Sequence, residues 1–230
     1  MDLSKEDVIE LLNISKETLT RLIVQEAIPV YTINHKLRFN REEIERWVIG
    51  MARSQQMEDF HFEKNVLSKS PWLHYGFYRA IHKGGVLTTQ HRNKETIFEE
   101  VLTRAAEDLK LDVEMLKGHF LEREKLMPTA LTNGVAVPHT REFLLDGLFD
   151  VIYVVYLDRP IDWGAMDHRP VHTLFFLFAC DDKRHLSLLA KIAHFSSKEE
   201  NISFLERKPG KRELMNAVKE WESTLVPALV

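Results

Sequence analysis

Cysteine is almost absent from this chain. The one thiol in 230 residues is Cys180, so neither a disulfide framework nor a multi-cysteine zinc site can be built. The apolar run around it, residues 174–180, predicts a buried and reduced thiol. Apolar runs long enough to cross a bilayer are missing too. The opening residues Met1-Asp2-Leu3-Ser4-Lys5-Glu6 do not read as a secretory signal. An excess of positive charge is also missing. Lys and Arg number 31 against 35 Asp and Glu, a formal net charge of -4, so the molecule as a whole is not a polycation that binds polyanions without selectivity. No internal repeat or low-complexity tract is present. What remains is an ordinary globular composition, 44% hydrophobic and 29% charged, with length for one or two cores. The expectation is a cytoplasmic protein with no membrane insertion, whose part in any transport process is that of a soluble partner.

The stretch that organises the rest is Thr132-Asn133-Gly134-Val135-Ala136-Val137-Pro138-His139-Thr140-Arg141. A short apolar strand is expected over residues 135–137. Pro138 has no N–H to give a ladder and fixes its own φ, so the strand stops there. An imidazole then stands on the end of a rigid element, where reacting groups are often presented. Gly134 lets another group come close. The alternative at this stage is a strand end that carries an ordinary surface histidine.

Residues 1–50 read as a small helical module. Ser4 and Asp7 approach a capping box at the head of a helix over residues 5–12. Asn13-Ile14-Ser15 breaks it, and Ser15 caps a second helix over residues 16–25. Ile28 to Ile33 and Leu37-Arg38-Phe39 form a short hairpin around Asn34-His35-Lys36, and Asn40 caps a third helix from residue 41. This order resembles the excisionase-like winged helix-turn-helix domains. The resemblance implies that the second helix enters a major groove, with Lys16, Thr18, Thr20, Arg21 and Gln25 exposed toward bases. His35, Lys36 and Arg38 would approach phosphates from the wing. Winged modules often act on two-fold sites, so a homodimer is expected. Against DNA stands the charge: seven Lys and Arg face nine Asp and Glu in these fifty residues, which leaves little for phosphate neutralisation. Protein docking is the alternative use of the module.

Residues 51–72 are polar, without a clean period, and read as a linker or helix extension. Residues 73–230 alternate strand and helix patterns. Helices are expected over 73–82, 94–109, from 112, over 185–195 and over 211–221; strands over 86–89, 149–157 and 171–180, the last buried on both faces. The fold class is therefore α/β (α+β): a C-terminal mixed β-sheet flanked by helices, plus the small N-terminal winged module.

Four pieces in order resemble the enzyme IIA domain of the phosphoenolpyruvate-dependent phosphotransferase system, in its fructose, mannitol and nitrogen-regulatory branch. They are Leu121-Glu122-Arg123-Glu124-Lys125; Thr129 through His139; Pro160-Ile161-Asp162-Trp163 with Asp167-His168-Arg169-Pro170-Val171; and His185 through Ala193. The resemblance implies that His139 accepts a phosphoryl group. It implies that His185, at a helix start, is the second active-site histidine, and that Arg123 balances phosphate charge. Thr129 and Gly134 would support the phosphate pocket. A histidine-containing phosphocarrier protein would be the donor, with no cofactor. A metal site from His139 and His185 is not expected, since no carboxylate is evident beside them. His119, His168, His172 and His194 match no motif piece and are expected to be structural or solvated. Ala130 and Cys180 stand where the family often has glycine and proline, which bears on partner choice rather than on chemistry. Three roles follow: a regulatory phosphocarrier coupled to DNA or a partner, a sugar-specific component passing phosphate to a separate IIB protein, or a non-catalytic interaction protein.

Overall fold

The computed structural model describes residues 2–12, 14–53, 75–140, 142–145 and 149–225. Residues 54–74, the greater part of the expected connection, lie outside this set, as do Asn13 and Arg141.

The N-terminal part begins with a two-residue strand that the sequence pattern was too short to reveal, β1 (Asp2–Leu3). The helices α1 (Lys5–Leu12) and α2 (Lys16–Val24) follow. The cap at the head of α1 forms with aspartate in place of the usual glutamate: Ser4 N–H and Oγ both donate to Asp7 Oδ2, and Asp7 N–H donates back to Ser4 Oγ. Ser15 Oγ accepts from Thr18 N–H at 2.9 Å and so starts α2. The hairpin β2 (Tyr31–Ile33) and β3 (Lys36–Asn40) joins β1 in an antiparallel sheet of order β1-β3-β2. Its turn is made by Asn34 and His35, both at positive φ, a conformation that asparagine tolerates better than most residues. Asn40 then caps α3 (Arg41–Arg53).

The C-terminal part holds α4 (Gly76–Lys83), β4 (Gly85–Thr89), α5 (Lys94–Leu109), α6 (Val113–Leu126), β5 (Val135–Ala136), β6 (Val151–Ile161), β7 (Val171–Phe178), α7 (Asp182–Phe195), α8 (Glu199–Glu206) and α9 (Lys211–Leu225). The sheet order is β4-β6-β7-β5. β4 runs parallel to β6, β6 antiparallel to β7, and β5 parallel to β7. This is the mixed sheet with helices on it that the sequence pattern predicts.

Both central strands are apolar on both sides because both faces are covered. Val151, Tyr153, Val155 and Leu157 of β6 meet α5 and α6 in one core cluster. Ile152, Val154 and Tyr156 meet the other cluster, which includes Phe77, Leu189 and Val218 of α4, α7 and α9. That second cluster runs without a break into the N-terminal part through Val8, Leu11, Ile44 and Val48. The helix-turn-helix part thus packs onto α7 with α1 and α3.

Several boundaries move for clear reasons. α7 begins at Asp182, not at His185, since Asp181 caps it by accepting from Arg184 N–H. α8 was not expected; five of its eight residues are polar or acidic, and it buries only Leu205. Cys180 is half-buried rather than buried: β7 ends at Phe178, and the thiol donates to Phe149 O at 2.7 Å on the rim. Among the described residues no helix is long and apolar enough to cross a membrane.

Candidate functional site

Backbone geometry sets His139 in place. Leu177 N–H of β7 donates to Pro138 O at 2.9 Å, and His139 continues the parallel pairing as a single bridge to Leu177. The imidazole Nδ1 lies 2.7 Å from Val137 O. A carbonyl only accepts, so Nδ1 carries the proton there and Nε2 is the nitrogen with the chemistry to offer. Arg123, in the last turns of α6, donates from Nε to that Nε2 at 3.1 Å. Its Nη1 is anchored on Met127 O at 3.0 Å. His185 lies in the first turn of α7 with its ring centroid 5.1 Å from that of His139, edge to face. The three sequence-predicted residues therefore meet at one point. His185 is one turn inside its helix, so it takes the helical bond to Asp181 O and only its side chain is available to the site.

The fourth member was not expected. Glu45 of α3 reaches the same point from the N-terminal part. Its Oε1 is 3.0 Å from His139 Nε2 and 3.3 Å from Arg123 Nη2, and its Oε2 is 3.9 Å from His185 Nε2. Glu45 has no solvent exposure, and His139 and His185 have 1% each. His139 is thus not presented on an open strand end, as the sequence pattern suggests; α3 covers it. The signal for Glu45 lay in its phase: Glu45 precedes Val48 and Ile49 by three and four residues, so it shares the apolar face of α3, whereas Glu42 is exposed and Glu43 half-buried.

Charge explains why a carboxylate is tolerated at full burial. Desolvation by itself raises its pKa, but the hydrogen bond it shares with His139 and the positive charge of Arg123 outweigh it and hold Glu45 well below the usual carboxylate range. His185 goes the other way: burial first, then the neighbouring His139, push it down to about 3, so it is a neutral imidazole. Glu45 Oε2 and His185 Nε2 lie 3.9 Å apart and have no hydrogen-bond partner among the described residues.

The view that no carboxylate stands near the two histidines is overturned by Glu45. Ligand atoms of Glu45, His139 and His185 lie within 4.8 Å of one another, and two histidines with one glutamate are a zinc-type donor set. The guanidinium of Arg123 already engages both His139 Nε2 and Glu45 Oε1. A divalent cation bound by all three would have to displace Arg123 Nε from His139 Nε2; with Arg123 in place, the arrangement is that of an ion-pair cluster.

The two supporting residues make the following contacts. Thr129 donates from its N–H and its Oγ1 to Glu124, at 3.1 and 2.6 Å, and Glu124 also pairs with Lys94; this ties the end of α6 to the loop that carries the site. Gly134, at φ +75°, sits against His172: a Cβ there would come within 2.4 Å of the imidazole. Its carbonyl accepts from His172 and Thr173 N–H. Neither residue has a contact with the imidazole of His139 in these bonds.

Of the residues expected to meet DNA, Lys16, Thr20, Arg21, Gln25, His35 and Lys36 are exposed and Arg38 is half-buried. Thr18 is the exception, with 7% exposure, because its Oγ1 takes a hydrogen bond from the capping Ser15 hydroxyl at 3.2 Å. None of the exposed set lies on the face that packs on α7, which uses α1 and α3.

Two family models match the chain. The one described as "Phosphoenolpyruvate-dependent sugar phosphotransferase system, EIIA 2" matches residues 80–221, and one described as "Helix-turn-helix domain" matches residues 3–50. Similar curated proteins include the nitrogen regulatory protein of Pseudomonas aeruginosa, 35% identical over 105 residues, which are 44% of this chain and 66% of that protein. The nitrogen regulatory protein of Escherichia coli is 30% identical over 135 residues, 58% of this chain and 82% of that protein. The mannitol-specific phosphotransferase enzyme IIA component of Halalkalibacterium halodurans is 35% identical over 85 residues, 36% of this chain and 56% of that protein. Among solved structures, the nitrogen regulatory protein IIA-Ntr of Neisseria meningitidis superposes with a TM-score of 0.54 at 25% identity, covering 59% of this chain and 93% of that one.

Proposed function

Because the chain belongs to the phosphoenolpyruvate-dependent sugar phosphotransferase system EIIA 2 family, we propose that it is a phosphocarrier whose acceptor atom is Nε2 of His139. The observation that carries this reading is the division of labour on one ring. Nδ1 is engaged with Val137 O, while Nε2 faces the guanidinium of Arg123.

In the step, Nε2 attacks the phosphorus of a phosphohistidine on a histidine-containing phosphocarrier protein. The N–P bond of the donor breaks as the new N–P bond forms, and the donor imidazole leaves with the electron pair. Positive charge that develops on the His139 ring is met by the carbonyl at Nδ1. Phosphoryl transfer needs mainly placement and charge balance, and Arg123, a donor fork that keeps its charge, supplies balance. His185, neutral and buried, can donate a ring N–H to a phosphoryl oxygen without adding charge. No cofactor enters this scheme.

The role we infer is regulatory and cytoplasmic: the phosphorylation state of residues 73–230 governs what residues 1–50 bind, DNA on a two-fold site or a protein partner, with residues 51–72 connecting them. The helix-turn-helix match and the nitrogen regulatory relatives support it. The mannitol-specific relatives favour a second reading, in which phosphate passes on to a separate IIB protein. Incubation with phosphoenolpyruvate, its phosphotransferase and the phosphocarrier protein should give an acid-labile, base-stable phosphate on the chain. Equal labelling of a His139→Ala chain would remove His139 from the role, and onward transfer to a IIB protein would favour the second reading.

A further inference from the structure

Resting on the acceptor reading of His139, we propose that Glu45 is a built-in occupant of the phosphoryl position, so that phosphorylation of His139 and seating of the helix-turn-helix part on α7 exclude each other.

The first ground is position. A phosphoryl group bonded to His139 Nε2 must fill the space next to that atom, and Glu45 Oε1 is there, 3.0 Å away. The second is chemistry. An anion held by a guanidinium and two imidazoles is what a phosphoryl group would also be, and Glu45 takes up Arg123 Nη2 at 3.3 Å. The carboxylate also competes for the atom that must attack. Nε2 either accepts from Arg123 Nε at 3.1 Å with its lone pair in place, or carries a proton toward Glu45 Oε1 at 3.0 Å and has no lone pair left for phosphorus. The third is cover. With α3 and α1 on α7, His139 is closed to a protein donor. The rim of the seat is tied by Arg41 to Asp182 at 2.8 Å and Lys183 to Asp7 at 2.7 Å. Arg41 also lies over the Phe143 ring, which meets His185 edge-on.

The seat is built to be left. Among the described residues, Glu45 Oε2 and His185 Nε2 are buried without hydrogen-bond partners, so part of the cost of burying this carboxylate stays uncompensated. A phosphoryl group brings three acceptor oxygens where Glu45 uses one closely. Once it is bonded to Nε2, a second anion at the same point is repelled. The phosphorylated chain therefore holds the helix-turn-helix part off α7 and frees the α1 and α3 face that was covered, while the exposed side of α2 is open in both states.

The test uses the full chain. Glu45→Gln keeps the shape of the side chain and removes its charge; its initial rate of phosphorylation by the phosphocarrier protein should rise roughly tenfold or more over wild type. In a Cys180→Ser background, Asp7→Cys with Lys183→Cys bridged by a short bismaleimide should label at less than about a tenth of the rate of the unbridged chain. Small-angle scattering on the unphosphorylated proteins should find Glu45→Gln more extended than wild type. Full-rate labelling of the bridged chain, or a Glu45→Gln chain that matches wild type in both rate and extension, overturns the proposal. So does a wild-type rate raised by a chelator and not by Glu45→Gln, which would mean that a metal holds the cluster. A Glu45→Gln chain that opens while no variant takes phosphate keeps the occupant and removes the acceptor assignment instead.

Discussion

The buried neutral imidazole of His185 makes the fold sensitive to mild acid, and the size of the effect can be worked out. In the folded chain its pKa is pushed down to about 3, by burial first and by His139 second, from an ordinary 6.5. A base whose folded pKa is depressed contributes stability that is present above its unfolded pKa and is lost as pH falls below it. The window is therefore from 6.5 downward to 3. Between pH 7 and pH 5 the unfolded chain gains this proton and the folded chain does not, which costs about 2 kcal/mol of stability. Glu45, also held below the usual carboxylate range, acts with the same sign, but its contribution is lost only as pH falls through and below its ordinary value of 4.5, under the pH 7 to pH 5 interval compared. His172 is also lowered, chiefly by burial, and acts with the same sign as His185, so the comparison must be made by difference. Urea unfolding of wild type and His185→Asn at pH 7 and at pH 5 isolates it. The wild type should lose about 2 kcal/mol more than the variant between the two pH values. Parallel losses in the two proteins would refute a neutral His185 in the folded state.

Three further outcomes are expected. Glu222→Ala should destabilise by about 3–5 kcal/mol in denaturant unfolding, because Glu222 is the partner of buried Lys191 at 2.8 Å and accepts the Phe77 and Tyr78 N–H groups at the head of α4. Gly134→Ala should cost about 2 kcal/mol or more, since it puts a Cβ at φ +75° within 2.4 Å of the His172 ring; His172→Ala in the same chain should recover part of the loss in thermal unfolding. If α2 reads DNA, Lys16→Ala with Arg21→Ala should weaken binding and flatten the salt dependence by about two counterions, measured by titration at several salt concentrations, whereas Ser15→Ala should act on the fold, by about 1 kcal/mol through the lost cap.

Local chemistry was readable from the chain wherever a local rule governs it. Ser15 caps the helix it was expected to cap, and Asn93 and Asp112 head the helices expected over 94–109 and from 112. The strand expected over 135–137 forms as β5 and ends at Ala136, with the pairing taken up again at His139. The meeting of Arg123, His139 and His185 was readable because the family's order of motifs carries it. Gly134 and Thr129 show the limit of such a carry-over. Their residue types suit a phosphate loop, and only the packing of His172 and Glu124 decides that they serve the frame. Glu45 was harder still. It stands in the run Arg41-Glu42-Glu43-Ile44-Glu45-Arg46, which reads as a solvated helix start, and its burial comes from how α3 meets α7 and the His139 loop, the last of them 94 residues away along the chain. α8 and β1 escaped notice because eight weakly patterned residues and a two-residue strand hold their shape through neighbours, not through propensity.

The attachment of Glu45 to the same chain has one further consequence. A free competitor for the His139 site would act in proportion to its concentration, and diluting it would relieve it. A tethered one acts at a local concentration fixed by its attachment, however much of the protein the cell makes. The fraction of chains that yield to phosphate then follows the degree of phosphorylation of the donor pool and is indifferent to the abundance of the chain. The carboxylate sets a threshold that expression level does not move.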